Sequence, residues 1–520
     1  MNMLICLLSL TTAGADFPAA SLDPGRLIPE DMTVFVEIFE SDQQLRRLQR
    51  SAAWNEIAAL VPGRVLDLLE VVNGTGLKRA ALGMDHSFLR DKTIFVLLLE
   101  AKDQAAAYEK AQAVAKESGR PVFRAGPFIG VADSPDTVDD VRDVARGDED
   151  SLLDRADFLR FRERVTTGDV RFHVNLSGLL PLRPGVAEPS DAVNALFFAH
   201  LLHVAGRGRE LSGFADLSRG LKIRIDAPVG RLPADRQFCA PTRPSPDVLA
   251  PTLSETARLS LRRDLSSFWE HVGTLVSEDA RADLTKLRSN LESFTGERSV
   301  QAACSGLGTA FDVHLGRLPD EGPQPPNRYP VGALVAQVRN EELRGELIAT
   351  FREVIRAVNH EASQGGKPQM ELSTAAHKGV ELNIARFPPA PNDDRDQAQV
   401  TMAIVGERLI LASHAAIVRD LVDAAVEGRT RPREPGDVLR MRGAGVGRLL
   451  RDARAALIAR MVVGNERTAE QAGALLDRVG WYLERADELK LDLVFADGQA
   501  RLDIDLIAPD LWKSSAKQDK

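Results

Sequence analysis

Two histidines one helical turn apart are the residues of this sequence best suited to bind a metal ion. His200 and His203 form an HxxH pair in the apolar stretch AVNALFFAHLLHVAG, Ala192 to Gly206. A helix brings both imidazoles to neighbouring sides of one turn, where carboxylates from elsewhere could complete a zinc-type site. The alternative is that both rings lie at the polar edge of a packed helix. The sequence favours this alternative, because the corresponding later stretch, AALIARMVVGN, has no histidine.

Two glycine-containing motifs resemble turns that bind nucleotides or carry nucleophiles. GAGVG, Gly443 to Gly447, stands between a predicted strand and a predicted helix, where backbone amides can bind a phosphate. No acidic residue follows at the distance that ribose binding needs, which argues against a dinucleotide site. ACSGLG, Ala303 to Gly308, offers Ser305 as a nucleophile but lacks the first glycine of GxSxG. Its alternating apolar surroundings predict a sheet strand instead.

Five aspartates between residues 133 and 143 suggest a cation site by composition alone. They are Asp133, Asp136, Asp139, Asp140 and Asp143. Their spacing is not that of an EF-hand loop, and a helix beginning at Ser134-Pro135 accounts for acids in its first turn. We therefore predict no catalytic residue and no cofactor, and His200 and His203 remain the metal candidates.

The elements that would position such residues occur twice along the chain. The window FADLSRGLKIRIDAP, Phe214 to Pro228, is repeated as FADGQARLDIDLIAP, Phe495 to Pro509. The matches fall on the phenylalanine, on alternate apolar positions and on the final proline. Three further pairs follow the same order in both halves: Thr93–Ser118 with Gly332–Val358, Phe128–Ala145 with Leu409–Ala425, and Gly168–Leu180 with Gly436–Leu450. Each pair combines strand and helix patterns, and the repetition indicates a duplicated architecture.

This pattern predicts an α+β fold made of two divergent repeats. Each repeat is expected to be a mainly antiparallel, curved sheet with helices packed on one face, because period-two alternation gives a strand one apolar side. The expected organisation is a signal peptide at 1–15, a first repeat at 16–228, a Pro-rich linker at 229–249, a second repeat with insertions at 250–510 and a polar tail at 511–520. Asp103 and Asn340 are predicted helix N-caps.

The amino end has the pattern of a secretory leader. MNMLICLLSLTTAGADFP contains a short apolar run followed by Ala13-Gly14-Ala15, which signal peptidase accepts. The run is too short to cross a bilayer, which needs about 20 residues. We therefore expect cleavage after Ala15, no membrane span in the mature protein, and a periplasmic or other extracytoplasmic location.

Composition limits the classes of partner. The net charge is −9 and the acids and bases are spread along the chain, so no basic stripe for nucleic acid is present. After leader cleavage Cys239 and Cys304 remain. They could form one disulfide. The favoured interpretation is that they are two separate, partly buried thiols, because their spacing in the sequence does not show that they lie close together.

The first half of the chain contains a set of segments in a fixed order: the leader, LIPEDMTVFVEI, VLLLEAKDQAAAYEKAQ, FIGVADS and SLLDRADFLRFRERV before GDVRFHVNL. In these segments the chain resembles a widespread family of exported bacterial proteins classified as a domain of unknown function. The resemblance is clearer in the first repeat, since the second repeat lacks the SLLDRADFLRF segment. The resemblance implies an exported α+β protein and carries no catalytic motif.

Two functions from different classes follow. The first is a non-catalytic protein of the cell envelope that binds a protein partner or an apolar ligand through its sheets. The second is an exported metal-assisted hydrolase that uses His200 and His203. Stoichiometric metal, lost when both histidines are replaced, would distinguish the second function from the first.

Overall fold

A computed structural model describes residues 23–39, 77–85, 94–176, 189, 191–207, 209–216, 221–241, 245–252, 255–295, 300–318, 330–388, 398–465 and 468–509. The predicted leader and the predicted polar tail lie outside these residues. The fold is mixed α+β with antiparallel strand pairing, as the sequence predicted.

The described part of the chain contains twenty strands, interspersed with helices. The described strands are β1 (Val34–Phe39), β2 (Leu77–Met84), β3 (Phe95–Ala101), β4 (Val122–Ala125), β5 (Phe128–Ala132), β6 (Val170–Asn175), β7 (Glu210–Asp216), β8 (Leu221–Pro228), β9 (Val248–Leu249), β10 (Glu255–Arg262), β11 (Leu307–Gly316), β12 (Val331–Val338), β13 (Glu371–His377), β14 (Val380–Arg386), β15 (Gln399–Val405), β16 (Arg408–Ala412), β17 (Thr430–Arg431), β18 (Asp437–Arg442), β19 (Glu488–Ala496) and β20 (Gln499–Ile507).

Several of the described helices begin at a residue whose side chain caps them. Those described are α1 (Gln104–Ser118), α2 (Pro135–Arg146), α3 (Ala156–Arg164), α4 (Ala192–Arg207), α5 (Leu265–Leu275), α6 (Glu278–Thr295), α7 (Val300–Gly306), α8 (Glu341–Gln364), α9 (Ala415–Val426), α10 (Gly443–Asp452), α11 (Arg454–Asn465) and α12 (Ala469–Arg485). Asp103 accepts from two amides of α1, and Asn340 does the same for α8, so both predicted N-caps are confirmed. None of the described helices is long and apolar enough to span a membrane.

Contacts divide the chain into two compact units. Unit 1 contains Met1–Leu182, Arg207–Val229 and Gln499–Lys520, and unit 2 contains Arg183–Gly206 and Gly230–Gly498. Within unit 1 the described strands lie in the order β4–β5–β3–β2–β1–β6–β7–β8–β20, with every neighbouring pair antiparallel. The last of the described strands, β20, is therefore part of the sheet of unit 1.

Helices cover both faces of the unit 1 sheet. On one face Leu98 belongs to a buried cluster with Phe158 of α3, and on the other Leu97 belongs to a cluster with Ala111 of α1. The prediction that helices pack on one face alone is wrong for this unit. The physical reason is visible in β3, whose residues Phe95–Leu99 are buried at consecutive positions, as in strands enclosed on both sides.

Strands β8 and β20, which come from the two copies of the repeated window, pair with each other. Ile223 lies opposite Ile504 in the antiparallel register. On the other face Arg224 donates to both carboxylate oxygens of Asp503 at 2.7 and 3.2 Å, and Arg501 donates to Asp226 at 2.9 Å. All four residues of these two ion pairs stand at positions where the two windows differ.

Unit 2 has a second antiparallel sheet and a short ribbon. Its described strands lie in the order β13–β14–β15–β16–β12–β11–β10–β18–β19, and β9 pairs with β17. Helices again lie on both faces: Val335 of β12 clusters with Val418 of α9, whereas Leu411 of β16 packs with Phe351 of α8. The segment 230–249 belongs to unit 2 and buries Phe238 completely.

Candidate apolar binding surface

The HxxH pair lies on α4, which confirms that both histidines are helical. The side chains of His200 and His203 are outside the described part of the structure. Among the side chains that are described, no three from His, Cys, Asp and Glu are grouped as metal ligands. The metal site at His200 and His203 stays a prediction.

The GAGVG motif forms the first turns of α10 and allows a close helix contact. A Cβ atom on Gly443 would stand 2.1 Å from the carbonyl oxygens of Leu483 and Ala486, and one on Gly447 would stand 2.7 Å from Cγ of Glu484. The glycines therefore let α10 approach the end of α12, which leaves no room for a phosphate at Gly443.

We expect Gly443→Ala to destabilise the protein by about 2 kcal/mol, because the new methyl group meets backbone oxygens that cannot turn aside. Gly480 of α12 is the matched control, since a Cβ there meets nothing within 4 Å. Gly480→Ala should stabilise by about 0.5–1 kcal/mol through helix propensity. Denaturant unfolding of both variants measures the two effects, and equal signs would contradict this account.

The segment around Ser305 is helical, so the strand predicted there is wrong. Val300–Gly306 forms α7, and β11 begins only at Leu307. The hydroxyl of Ser305 donates to the carbonyl of Ala302 at 2.7 Å, and Gly306 packs against Leu343. Alanines in VQAACSG favour a helix, which the alternation of apolar residues concealed.

The aspartates of residues 133–143 serve helix α2 and its neighbours. Asp133 accepts from the amide of Phe95 at 3.0 Å and from the hydroxyl of Thr137 at 2.9 Å. Asp139 pairs with Arg142 at 2.8 Å, and Asp143 pairs with Arg146. Together with the N-cap at Ser134, these contacts explain the aspartates as part of helix α2 and its ends.

The two described cysteines are free thiols, as the sequence favoured. Cys239 is buried, and burial raises the pKa of its thiol to about 12. Cys304 packs against the same apolar cluster, and burial raises the pKa of its thiol to about 11. Both thiols are protonated at neutral pH and are poor nucleophiles.

A buried ionic cluster in unit 1 surrounds Arg162 of α3. Its guanidinium binds Asp23 at 2.6 Å and also pairs with Glu37, and it lies 4.9 Å from the ring centre of Phe35. Glu37 is 1% exposed and also contacts Arg79 at 3.4 Å. Burial disfavours the charge of Arg162, but Glu37 and Asp23 outweigh it and raise its pKa. The cluster ties α3 to β1 and β2, which is a structural role.

An Asp-His-Ser arrangement that sequence reasoning missed lies beside this cluster. His173 Nε2 is 3.1 Å from the carboxylate of Asp157, and Ser212 lies directly opposite His173 on β7. Burial opposes ionisation of Asp157, yet hydrogen bonds from His173 and Arg155 hold its pKa far below the usual range. Ser212 is 0% exposed, so its hydroxyl is inaccessible to a substrate. The three residues have the side-chain types of a hydrolase triad, but a substrate cannot reach the serine.

Unit 2 places polar and charged residues on the buried face of its sheet. Arg258 is 5% exposed, Asp312 3% and His314 1%. Arg433 forms a bidentate pair with Asp312, at 3.0 and 2.5 Å. Polar side chains on this face are therefore enclosed by protein, although such residues are mostly exposed in folded proteins.

The opposite face carries large apolar side chains that are only half-buried. One row crosses five strands, because each of its members lies directly opposite the next in the strand register. At the usual strand spacing this row is about 19 Å long. Its members are Leu334, Val313, Leu259, Leu439 and Leu491.

Two further rows widen this surface. Leu315, Met441 and Leu489 flank the first row on one side, and Phe311 and Leu493 flank it on the other. Leu315 is 40% exposed. These ten side chains are called the apolar sheet face below, and a contiguous surface of this kind is typical of a binding site.

The chain matches no family model, no curated protein and no solved structure.

Proposed function

We propose that the protein is a non-catalytic binding protein that takes an apolar ligand on the apolar sheet face of unit 2. The observation that carries this proposal is the exchange of the two faces: Arg258, Asp312 and His314 are buried, whereas on the other side of the same strands Leu259 is half-buried and Leu315 is 40% exposed. Keeping charges inside and leucines outside costs folding free energy, so a sheet arranged in this way serves a ligand.

The ligand class follows from the shape and chemistry of the surface. The row from Leu334 to Leu491 is continuous, apolar and about 19 Å long, which suits an extended acyl chain. Apolar side chains alone give affinity without orientation, so we expect broad tolerance for the length and unsaturation of the chain.

The test is binding of a fluorescent fatty acid, such as cis-parinaric acid, to the purified protein. Leu439→Lys combined with Leu491→Lys places two charges in the centre of the apolar sheet face, and binding should weaken by about tenfold or more. Leu159→Lys is the matched control, because Leu159 is a 44% exposed leucine on α3 of unit 1. No binding by the wild type, or equal binding by all variants, would overturn the proposal.

The architecture supporting this function is proposed to be a duplication. In unit 1 the first seven strands lie in the order β4–β5–β3–β2–β1–β6–β7, and in unit 2 the corresponding strands lie in the order β15–β16–β12–β11–β10–β18–β19. Each strand has a counterpart at the same place in the sequence of elements, with β13 and β14 added at one edge in unit 2. This agreement in connectivity supports the two repeats that the recurring sequence windows indicated.

Export to the cell envelope is proposed from the leader pattern. Leu4–Leu10 supplies the apolar run and Ala13-Gly14-Ala15 the cleavage pattern. A mature amino terminus at Asp16, in protein isolated from the envelope fraction, is expected from amino-terminal sequencing. An uncleaved chain in the cytosolic fraction would contradict this location.

A further inference from the structure

Strand β13 lies at the edge of the unit 2 sheet and is open along one side. Among the described strands it pairs with β14 alone, in a register that has no shift over the seven residues Glu371–His377. A strand at the edge of a sheet presents unpaired N–H and C=O groups, and these groups can pair with a strand of another chain. The open side of β13 is therefore a place where a further strand can add to the sheet.

The turn after β13 determines which of its backbone groups point outward. Lys378 and Gly379 form a two-residue turn, with φ angles of 49° and 78°. Such a turn makes the flanking residues, His377 and Val380, a hydrogen-bonded pair, and from there hydrogen-bonded and non-hydrogen-bonded pairs alternate along the strands. The residues whose N–H and C=O groups point away from β14 are Leu372, Thr374 and Ala376.

The open edge has a defined beginning. Asn359 of α8 donates to the carbonyl oxygen of Met370 and accepts from its amide, both at 2.7 Å. From Leu372 onward, no described residue bonds the outward backbone groups of β13. The open edge therefore extends from the Asn359 contact to the turn at Lys378.

This edge lacks the features that usually prevent strand addition. Natural edge strands are kept short, carry charges, or contain proline or bulges. Strand β4, an edge strand of unit 1, has four residues and includes Arg124. In β13 the five residues from Leu372 to Ala376 include no charge and no proline. Of these two edges, β13 is the one suited to pairing.

The sequence of β13 is complementary to itself when two copies run antiparallel. If Thr374 of one copy lies opposite Thr374 of the other, the two open edges overlap over their whole length. Glu371 of each copy then lies opposite His377 of the other, so an acid meets a residue that can carry a positive charge, and no like charges face each other. Asp423 binds Nε2 of His377 at 2.7 Å, which leaves Nδ1 for the glutamate of the second copy.

The same arrangement satisfies the outward backbone groups and covers an exposed leucine. The outward N–H and C=O groups of the two copies face each other and can form about six hydrogen bonds. Leu372, which is 38% exposed, lies opposite Ala376 of the second copy. These matches at the ends, at the centre and along the backbone identify a second copy of this chain as the partner.

We propose that the protein forms a symmetric dimer in which β13 of two copies pair antiparallel about Thr374. The contact uses the same surface on both copies, so it closes at two. A single pair of strands buries less surface than most stable complexes, and the expected dissociation constant is about 10–100 μM. This proposal is independent of ligand binding by the apolar sheet face.

The test is sedimentation velocity of the purified protein at concentrations from about 1 to about 300 μM. Wild type should shift from monomer to dimer over this range. Thr374→Pro removes an outward amide and prevents close approach of a second strand. It keeps the bonds to β14, because proline is tolerated in an edge strand where the amide faces solvent. This variant should stay monomeric, which corresponds to a weakening of at least about tenfold.

Two controls separate loss of pairing from loss of folding. Arg124→Pro is the matched proline variant, because Arg124 occupies an outward position in the edge strand β4, two residues before the turn at Gly126. It should dimerise as wild type does. Thr374→Val retains the amide and suits a strand, so its dimer should be at least as stable. If urea unfolding shows that Thr374→Pro is not folded, Thr374→Lys replaces it, since two lysines then face each other across the symmetry axis.

Three outcomes would overturn the proposal. They are a wild type that stays monomeric at the highest concentration, a dimer that neither Thr374→Pro nor Thr374→Lys weakens, and a dimer that Arg124→Pro abolishes. A monomeric wild type that instead binds an unrelated extended peptide along β13 would assign the edge to another partner. Fatty acid binding by Thr374→Pro should equal that of wild type, which separates failure of dimerisation from failure of the ligand-binding function.

Discussion

Replacing Arg263 by methionine is expected to lower the free energy of unfolding by about 3–5 kcal/mol. Arg263 is 1% exposed and donates to both carboxylate oxygens of Asp437, at 2.9 and 2.6 Å. It also donates to the carbonyl oxygens of Leu196 and Arg262, both at 2.8 Å. Methionine fills much of the volume but leaves Asp437 without this cation and two carbonyls without a donor, and each loss in a dry interior is costly.

The matched control for Arg263 is an exposed pair with the same geometry. Arg454 binds both oxygens of Asp477, each at 2.9 Å, but the side chains are 43% and 64% exposed. Arg454→Met should therefore cost less than about 1 kcal/mol. Urea unfolding of both variants provides the comparison. A similar cost at the two sites would show that burial does not set the value of these arginine–aspartate pairs.

Much of the fold could be predicted because its signals are local. Asp103 and Asn340 cap the helices that their positions indicated, and the apolar alternation of the repeated window gave strands β8 and β20. Ser305 shows the limit of this reasoning: a short apolar alternation fits a helix end as well as a strand, and helix propensity with the packing of Gly306 decided between them.

The apolar sheet face was harder to predict. Alternation of apolar and polar residues shows that a strand has two different faces, but it does not show which face is buried in the protein. In β11, Asp312 and His314 alternate with Phe311 and Val313, and the usual assignment puts the aspartate outside. Burial of Asp312 depends on Arg433, which is 121 residues away in the chain. An ion pair between residues so far apart produces no periodic pattern in the sequence. Sequence reasoning therefore missed both the buried ion pair and the apolar sheet face on the other side of the strands.

Exchanging the charges on β8 alone is expected to destabilise unit 1 by about 3 kcal/mol. In the variant that combines Arg224→Asp with Asp226→Arg, like charges face Asp503 and Arg501 where two ion pairs stood. Each of the two cross-strand ion pairs is lost and replaced by repulsion between like charges, and the two losses together give the expected destabilisation. The Arg501–Asp226 pair contributes less, because the arginine side chain is 49% exposed and solvent screens it.

Exchanging the charges on both strands should restore stability. Adding Arg501→Asp and Asp503→Arg to the β8 variant recreates two opposite-charge pairs with their polarity reversed, and urea unfolding should return to within about 1 kcal/mol of wild type. The β20 exchange alone is the control and should be as unstable as the β8 exchange. If the fourfold variant stays unstable, packing and not charge complementarity holds these strands together. Recovery would mean that charged residues by which the two sequence windows differ are the ones that let β8 and β20 pair with each other.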